Sequence, residues 1–537
     1  MGDTVRPQWS GSAFTRRSFL QRAGAGTAVF AAGGLLEACG ASSASPAGNG
    51  HSTSQTLRIG IGSQPQTLDV DKAIAGTDAY FGDNLYETLL GHDVNGNLVP
   101  KVAQSYSVSP DGKTFTFKLR PGVRFHDGTP VTPADVKFSF ERYVAPATGN
   151  GFSFNLADMV GVDVVGSDTV VIRLSAYDAG FIPAGGYAAI LPMKYIQEHG
   201  DAYFGKHPVA TGPWKFRSFA LNSNFVLDRF EGYWGEKPGY ATAVFQIIPQ
   251  ASTRVAALQT GQVDLIAQVP PQYIKTLSGT SGLVVSQKLD GDSVNIKFNT
   301  LPSQAGKPWA NVLVRQAMDY AIDRDAIISS ILLAGGQADT AIQPTDAAWP
   351  VAQAAGLKPR PYDPARAKAL LRQAGFGSGF SMPFASLANG RLPASEEIVE
   401  AVAAYWKAVG INAKVETLSY DPWLDAIKST SSYPAMFNLW GDSTGGPSSR
   451  MKFDYTSKQL YSLVADPALD KLVQRAVTTV DPTELQKNYT AVGQYVQAKA
   501  YTADLFAVKG AFAMKESVDW VPWSGVSATV MQNARAA

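Results

Sequence analysis

Pro100-Lys101-Val102-Ala103-Gln104-Ser105-Tyr106-Ser107-Val108-Ser109-Pro110-Asp111-Gly112-Lys113-Thr114-Phe115-Thr116-Phe117-Lys118-Leu119-Arg120-Pro121-Gly122-Val123-Arg124-Phe125-His126-Asp127-Gly128 is the most legible stretch of the chain. From Lys113 to Arg120 apolar and polar residues alternate, the period of a half-buried strand. Ser109-Pro110-Asp111-Gly112 is turn chemistry, so the segment predicts a β-hairpin. Just beyond it, Thr132-Pro133-Ala134-Asp135 opens a helix: Thr132 caps, Pro133 suits the first helical position, and Asp135 completes a capping box. Val136, Phe140 and Tyr143 are its expected buried stripe.

The second half alternates capped helices with strands. Asp363-Pro364 starts a helix with Ala367, Leu370, Leu371 and Ala374 inward and Gly375 closing it. Ile398, Val402, Tyr405, Trp406 and Val409 keep helical spacing, Gly410 stops them, and Ile411, Ala413 and Val415 alternate as a strand. Asp421-Pro422, Asp466-Pro467 and Asp481-Pro482-Thr483-Glu484 begin three more helices. The expected class is α/β, mixed sheets with helices on their faces.

The N-terminus reads as an address. Thr15-Arg16-Arg17-Ser18-Phe19-Leu20-Gln21 resembles a twin-arginine export signal, with Arg16 and Arg17 as the pair. The apolar run Ala23 to Leu36 is too short and too rich in Gly and Ala to span a bilayer of roughly 30 Å. It ends in Leu36-Glu37-Ala38-Cys39, which resembles a lipobox with Cys39 as the acylated new N-terminus. Residues 1–38 are therefore expected to be a signal peptide and 39–55 a flexible tether, with the folded body starting near Thr56. Export to the outer side of the cell membrane, with lipid as the only membrane attachment, follows.

Of 537 residues, 45% are hydrophobic and 17% charged, with a net charge of +1. The body is long enough for two or three lobes, and no basic stripe calls for nucleic acid. Cys39 is the single cysteine, which excludes an internal disulfide. His51, His92, His126, His199 and His207 show no metal-ligand spacing, so neither metal nor cofactor is expected. Asp111-Gly112-Lys113-Thr114 lacks the upstream glycine of a phosphate loop. Ser449-Arg450-Met451-Lys452 has the spacing of penicillin-recognising enzymes without their other elements, a chance match. His126-Asp127 in a Gly-flanked loop is expected to be a solvated polar pair. With no nucleophile and base in sight, binding leads over catalysis.

The segment quoted first resembles the signature of the extracytoplasmic solute-binding proteins of dipeptide and oligopeptide ABC transporters, solute-binding family 5. Phe125 stands where a tryptophan is commoner. Similar blocks follow in order: Ala210-Thr211-Gly212-Pro213-Trp214, Phe230-Glu231-Gly232-Tyr233-Trp234-Gly235, Leu258-Gln259-Thr260-Gly261-Gln262-Val263-Asp264, Val314 to Arg324, and Tyr362 to Leu371. The resemblance implies a two-lobed clamshell like the periplasmic binding proteins, type II and cluster C, with an extra subdomain in the first lobe. The first lobe is expected at 56–288 and 508–537, its subdomain near 93–206, and the second lobe at 289–507. Hinges are expected near Val294 to Phe298 and Leu505 to Val508. Such a protein works as a monomer, captures a peptide-like solute and hands it to a membrane ABC permease.

Within Phe437-Asn438-Leu439-Trp440-Gly441-Asp442-Ser443-Thr444-Gly445-Gly446-Pro447, Asp442 matches the aspartate that holds a peptide's ammonium group in peptide-binding members, a charge-assisted contact. Trp440 and Asp442 are one residue apart where two are usual, and Gly446 replaces an acidic residue. A surface-turn role for Asp442 is the alternative. Trp440, Trp349 and Trp423 are candidate cleft walls. Thr211 and Gly212 belong to a turn beside the cleft, and Tyr86 to a block that contributes cleft contacts, although a helix running Leu85, Leu89 and Leu90 to the core accounts for most of it. Other ligands on the same fold are an oligosaccharide, a metal chelate or haem. An extracytoplasmic hydrolase and a sensory or folding-assistance role are the alternatives of other classes.

Overall fold

The computed structural model describes residues 56–537 apart from 73–78, 96, 151, 185–187, 334, 339–356, 389–393, 429–432, 442–446, 460 and 524–530. Among these residues an 11-stranded sheet passes through both lobes. Its two middle strands, Leu283–Phe298 and Thr502–Lys515, are 16 and 14 residues long and antiparallel to each other. On the first-lobe side Leu265–Ile266 joins the return strand Thr502–Lys515, followed by Thr56–Ile61, Thr242–Ile247, Asn224–Arg229 and Trp214–Ala220. On the other side Ala435–Gly441 pairs with the outgoing strand, and Phe380–Leu387 and Ile411–Leu418 complete the second lobe.

The crossing between lobes is where the ladder breaks. Leu283 to Leu289 face Lys515 to Lys509 in regular register, and Ser293 to Lys297 face Ala507 to Thr502, with irregularities at Leu289/Ser293 and Val294/Asn295. Of Val294 to Phe298, expected at a pivot, Val294 to Lys297 are paired on both edges. A strand held on both sides is stiffer than the irregular residues just before it, where backbone rotation costs fewer hydrogen bonds.

Each lobe has its own core. The second centres on Phe298, Phe384 and Trp406, with the Phe384 and Trp406 rings 4.9 Å apart and Trp406 Nε1 donating to Met318 O. The first centres on Trp214 and on Phe225 stacked on Phe245, and it includes Trp520, Met531 and Ala534 from the C-terminal end. The hairpin read from sequence is present as Ala103–Val108 and Thr114–Leu119, in a four-stranded antiparallel sheet with Thr169–Leu174 and Met159–Val165. Helix Pro133–Val144 covers that sheet with Val136, Phe140 and Tyr143 buried, and both halves of the Thr132/Asp135 capping box are formed. Asp363, Asp466 and Asp481 cap their helices as expected.

One element differs. The helix expected through Leu85 to Leu90 ends at Leu85, because Leu90 enters a strand with Leu98–Pro100 and the Leu89 carbonyl accepts from Lys101 and Ala103 N–H. Leu85, Leu89 and Leu90 are all buried, by two kinds of structure instead of one helical face.

Candidate ligand cleft

Side chains alternate along a strand, so Ser293, Asn295 and Lys297 share one face of the outgoing strand. Helix Pro447–Tyr455 meets that face. Arg450 Nη1 donates to Ser293 Oγ at 2.5 Å, Arg450 Nε lies 3.5 Å from Asp454 Oδ2, and Lys297 Nζ pairs with Asp454 Oδ1 at 2.5 Å. Lys297 also donates to Tyr461 O at 3.0 Å, and Asn438 Nδ2 lies 3.4 Å from Asn295 Oδ1 across the strand pair. All of these side chains except Tyr461 are buried. Burial lowers the Lys297 ammonium pKa, and the charge and hydrogen bond of Asp454 only partly offset it. The network is a buried polar floor beside the lobe crossing.

The opposite side of the same helix faces the subdomain. Lys452 Nζ lies 2.7 Å from Asp178 Oδ2 and 3.1 Å from Asp158 Oδ2, and Ser449 Oγ is 3.5 Å from Asn155 Oδ1.

In the first lobe a brace fixes the turn at 210–214. Thr211 Oγ1 accepts from Glu87 N–H at 3.2 Å, Gly212 N–H donates to Leu85 O at 2.8 Å, and His126 sits between the Ala210 amide and the Gly212 carbonyl. A Cβ on Gly212 would lie 2.5 Å from Leu85 O. His126 is thus buried and not the solvated loop residue expected, because both ring nitrogens have backbone partners brought in from a distant segment.

Of the proposed contact residues, Tyr86 is buried and its hydroxyl donates to Leu68 O at 3.0 Å. Thr211 is fully buried within the brace. Trp423 is packed in the second-lobe core and its Nε1 donates to Phe437 O at 3.0 Å, which braces the strand Ala435–Gly441. Trp440 is opposite Ser293 in that strand's register. Asp442, Trp349, Cys39, Arg16 and Arg17 lie outside the described residues. Sequence reasoning missed Arg450, Lys452, Asp158 and Asp178; the only trace was the Ser449-to-Lys452 spacing, dismissed as chance.

Among the described residues no helix is long and apolar enough to cross a membrane, and no group of three or more His, Cys, Asp or Glu residues is placed to hold a metal ion. Residues 97–462 match the family described as bacterial extracellular solute-binding proteins, family 5 Middle. The dipeptide-binding protein of Escherichia coli K12 is 30% identical over 371 residues, 64% of this chain and 68% of that protein. The glutathione-binding protein GsiB of Pectobacterium atrosepticum is 27% identical over 82% of this chain and 86% of its own length. The periplasmic binding protein DppA from Helicobacter pylori, solved with the peptide STSA, superposes with a TM-score of 0.77 at 23% identity, covering 90% of this chain and 99% of that one. NikA from Brucella suis, solved with Fe(III)-EDTA, gives 0.79 at 21% identity, covering 90% and 100%. Sharing the two-lobed fold of these structures and matching the family over most of its folded body, the chain belongs to family 5 of the bacterial extracellular solute-binding proteins, the binding components of ABC importers.

Proposed function

We propose that this binding protein captures a peptide-like solute, that Asp442 holds the solute's ammonium group, and that the protein acts as a non-enzymatic monomer tethered outside the cell membrane by lipid on Cys39 after export through the Arg16-Arg17 signal. The lobes divide at 56–288 with 508–537 and at 289–507. The observation that carries the peptide reading is the outer edge of strand Ala435–Gly441. Its pairing with the parallel strand Phe380–Leu387 ends at Met436, while its inner edge stays paired with the outgoing strand through Gly441. Among the described residues no strand occupies the outer edge from Asn438 to Gly441. An open strand edge takes an extended chain by main-chain hydrogen bonds, which a peptide supplies and a sugar ring does not. The relatives named for a dipeptide and for glutathione support the same class.

Mass spectrometry of small molecules released from the denatured, purified protein tests the ligand class directly; a sugar or a metal chelate in place of a peptide overturns it. Calorimetry with free and N-acetylated dipeptides tests the clamp. Removing one partner of a buried ion pair costs about 2 to 5 kcal/mol, so Asp442→Asn is expected to weaken free dipeptide by roughly thirtyfold to several thousandfold and to leave the acetylated one nearly unchanged. Equal affinities in all four combinations make Asp442 a turn residue. Cys39→Ala is expected to move the protein from the membrane to the soluble fraction; unchanged membrane association removes the anchor.

A further inference from the structure

Helix Pro447–Tyr455 is tied to the outgoing strand on one side through Arg450, Asp454 and Lys297, and on the other it meets the subdomain of the opposite lobe. There Lys452 is one cation between two carboxylates, Asp178 and Asp158. Asp178 is oriented by Gly180 N–H, which donates to its Oδ1 at 2.9 Å. Next to it Ala179 N–H donates to Val477 O at 2.8 Å, and Ala179 is buried among Met451, Leu469 and Val477. Gly180 permits the approach, since a Cβ there would stand 3.0 Å from Ser448 Cβ. Burial alone would lower the Lys452 ammonium pKa, but the two carboxylates outweigh it and raise it.

This contact joins the lobes without passing through the hinge strands. It is also the kind of contact that opens: its centre is an ion pair with the Lys452 side chain 25% exposed, and from the subdomain its apolar part is small, Ala179 and the partly buried Tyr177. A permanent joint of two lobes is an apolar seam; a polar contact with a partly wet cation is weakened by salt and by competing water.

We infer that Lys452, clasped by Asp158 and Asp178, is an electrostatic latch that holds the lobes closed and so sets affinity for the solute without touching it. Lys452 is a positioning residue. The apparent affinity of a closing protein is its intrinsic affinity scaled by the population of the competent state, and the latch raises that population before any solute arrives. The inference rests on the reading that the lobes close around a solute, but it does not depend on which solute.

The test therefore uses ligand-free protein. Spin labels on cysteines introduced at Val164 and Lys471, both exposed, in the full chain with Cys39→Ser, report the distance between subdomain and second lobe by pulsed electron resonance. The protein is stripped of solute by unfolding and refolding. At low salt the short-distance population is expected to dominate. Raising salt to about 0.5 M, or introducing Lys452→Gln, is expected to lower the closed-to-open ratio about tenfold. The exchange Lys452→Asp with Asp158→Lys, made together with Asp178→Asn so that no second carboxylate faces position 452 while the bond from Gly180 N–H is kept, restores one ion pair with reversed polarity and is expected to recover the short distance. Melting of each variant separates a shift of population from loss of fold. One distance in wild type and Lys452→Gln at every salt concentration overturns the latch, as does a reversed-polarity variant no more closed than Lys452→Gln. Failure of the peptide reading alone appears differently, as a protein that latches in this assay but binds no peptide.

Discussion

His126 permits a prediction in which sign and size both follow from geometry. Its Nδ1 accepts from Ala210 N–H at 3.3 Å and its Nε2 donates to Gly212 O at 3.0 Å. Only the neutral ring with its proton on Nε2 satisfies both; a second proton on Nδ1 would face another donor. The ring is buried against Phe230, and Lys215 Nζ donates to the His126 carbonyl at 3.0 Å. Burial chiefly, with the Lys215 charge adding to it, pushes the imidazole pKa from its ordinary 6.5 down to about 4. Between those values the unfolded chain binds a proton that the folded chain refuses. Stability is therefore full above pH 6.5, falls as pH drops through the window, and levels off below about 4, when both states are protonated. The whole window is worth about 3 kcal/mol. Imidazole NMR titration is expected to show His126 neutral, in the Nε2–H form, at about pH 5. In guanidinium unfolding at about pH 7.5 and about pH 4.5, His126→Gln is expected to start less stable but to lose roughly 2 to 3 kcal/mol less than wild type on acidification. A His126 midpoint near 6.5, or equal acid sensitivity in the two proteins, refutes the argument.

Gly212→Ala is expected to destabilise the first lobe by about 1 to 3 kcal/mol, because its Cβ would meet Leu85 O at 2.5 Å, Leu85 C at 2.7 Å and Asn84 O at 2.9 Å, all backbone atoms that cannot swing aside; chemical denaturation reads it, and a neutral substitution refutes it. Asp454→Asn strips the buried Lys297 of its counter-charge and is expected to cost about 3 to 5 kcal/mol, whereas Lys297→Met with Asp454→Leu, which removes both charges, is expected to cost less. Melting of the two variants beside the unmodified protein checks the order, and a double variant less stable than Asp454→Asn breaks it.

The parts of the fold that were legible in the sequence are those whose partners are close in the chain. Thr132 and Asp135 cap each other three residues apart, Asp363 and Asp481 each accept from an amide three residues on, and the hairpin turn closes from Ser109 to Thr114. No fold knowledge is needed for such contacts, so cap, turn and period located them. The burial of His126 was not legible because the groups that bury it stand 84 and 86 residues away, and the core packing of Trp423 was not because it is set by tertiary contacts.

The lobe contact has no local signature either. Lys452 finds Asp158 and Asp178 at separations of 294 and 274 residues, and neither acid stands out in its own neighbourhood. The Ser449-to-Lys452 spacing is one helical turn, and a helical turn places both side chains on a single face. That face is the one turned to the subdomain. A binding protein needs its two lobes to recognise each other only when they meet, so the residues that do so are drawn from distant parts of the chain and carry no local mark. Closing chemistry in this fold is therefore recoverable from three-dimensional proximity and charge, while the elements that bring it together are written in short-range signals along the chain.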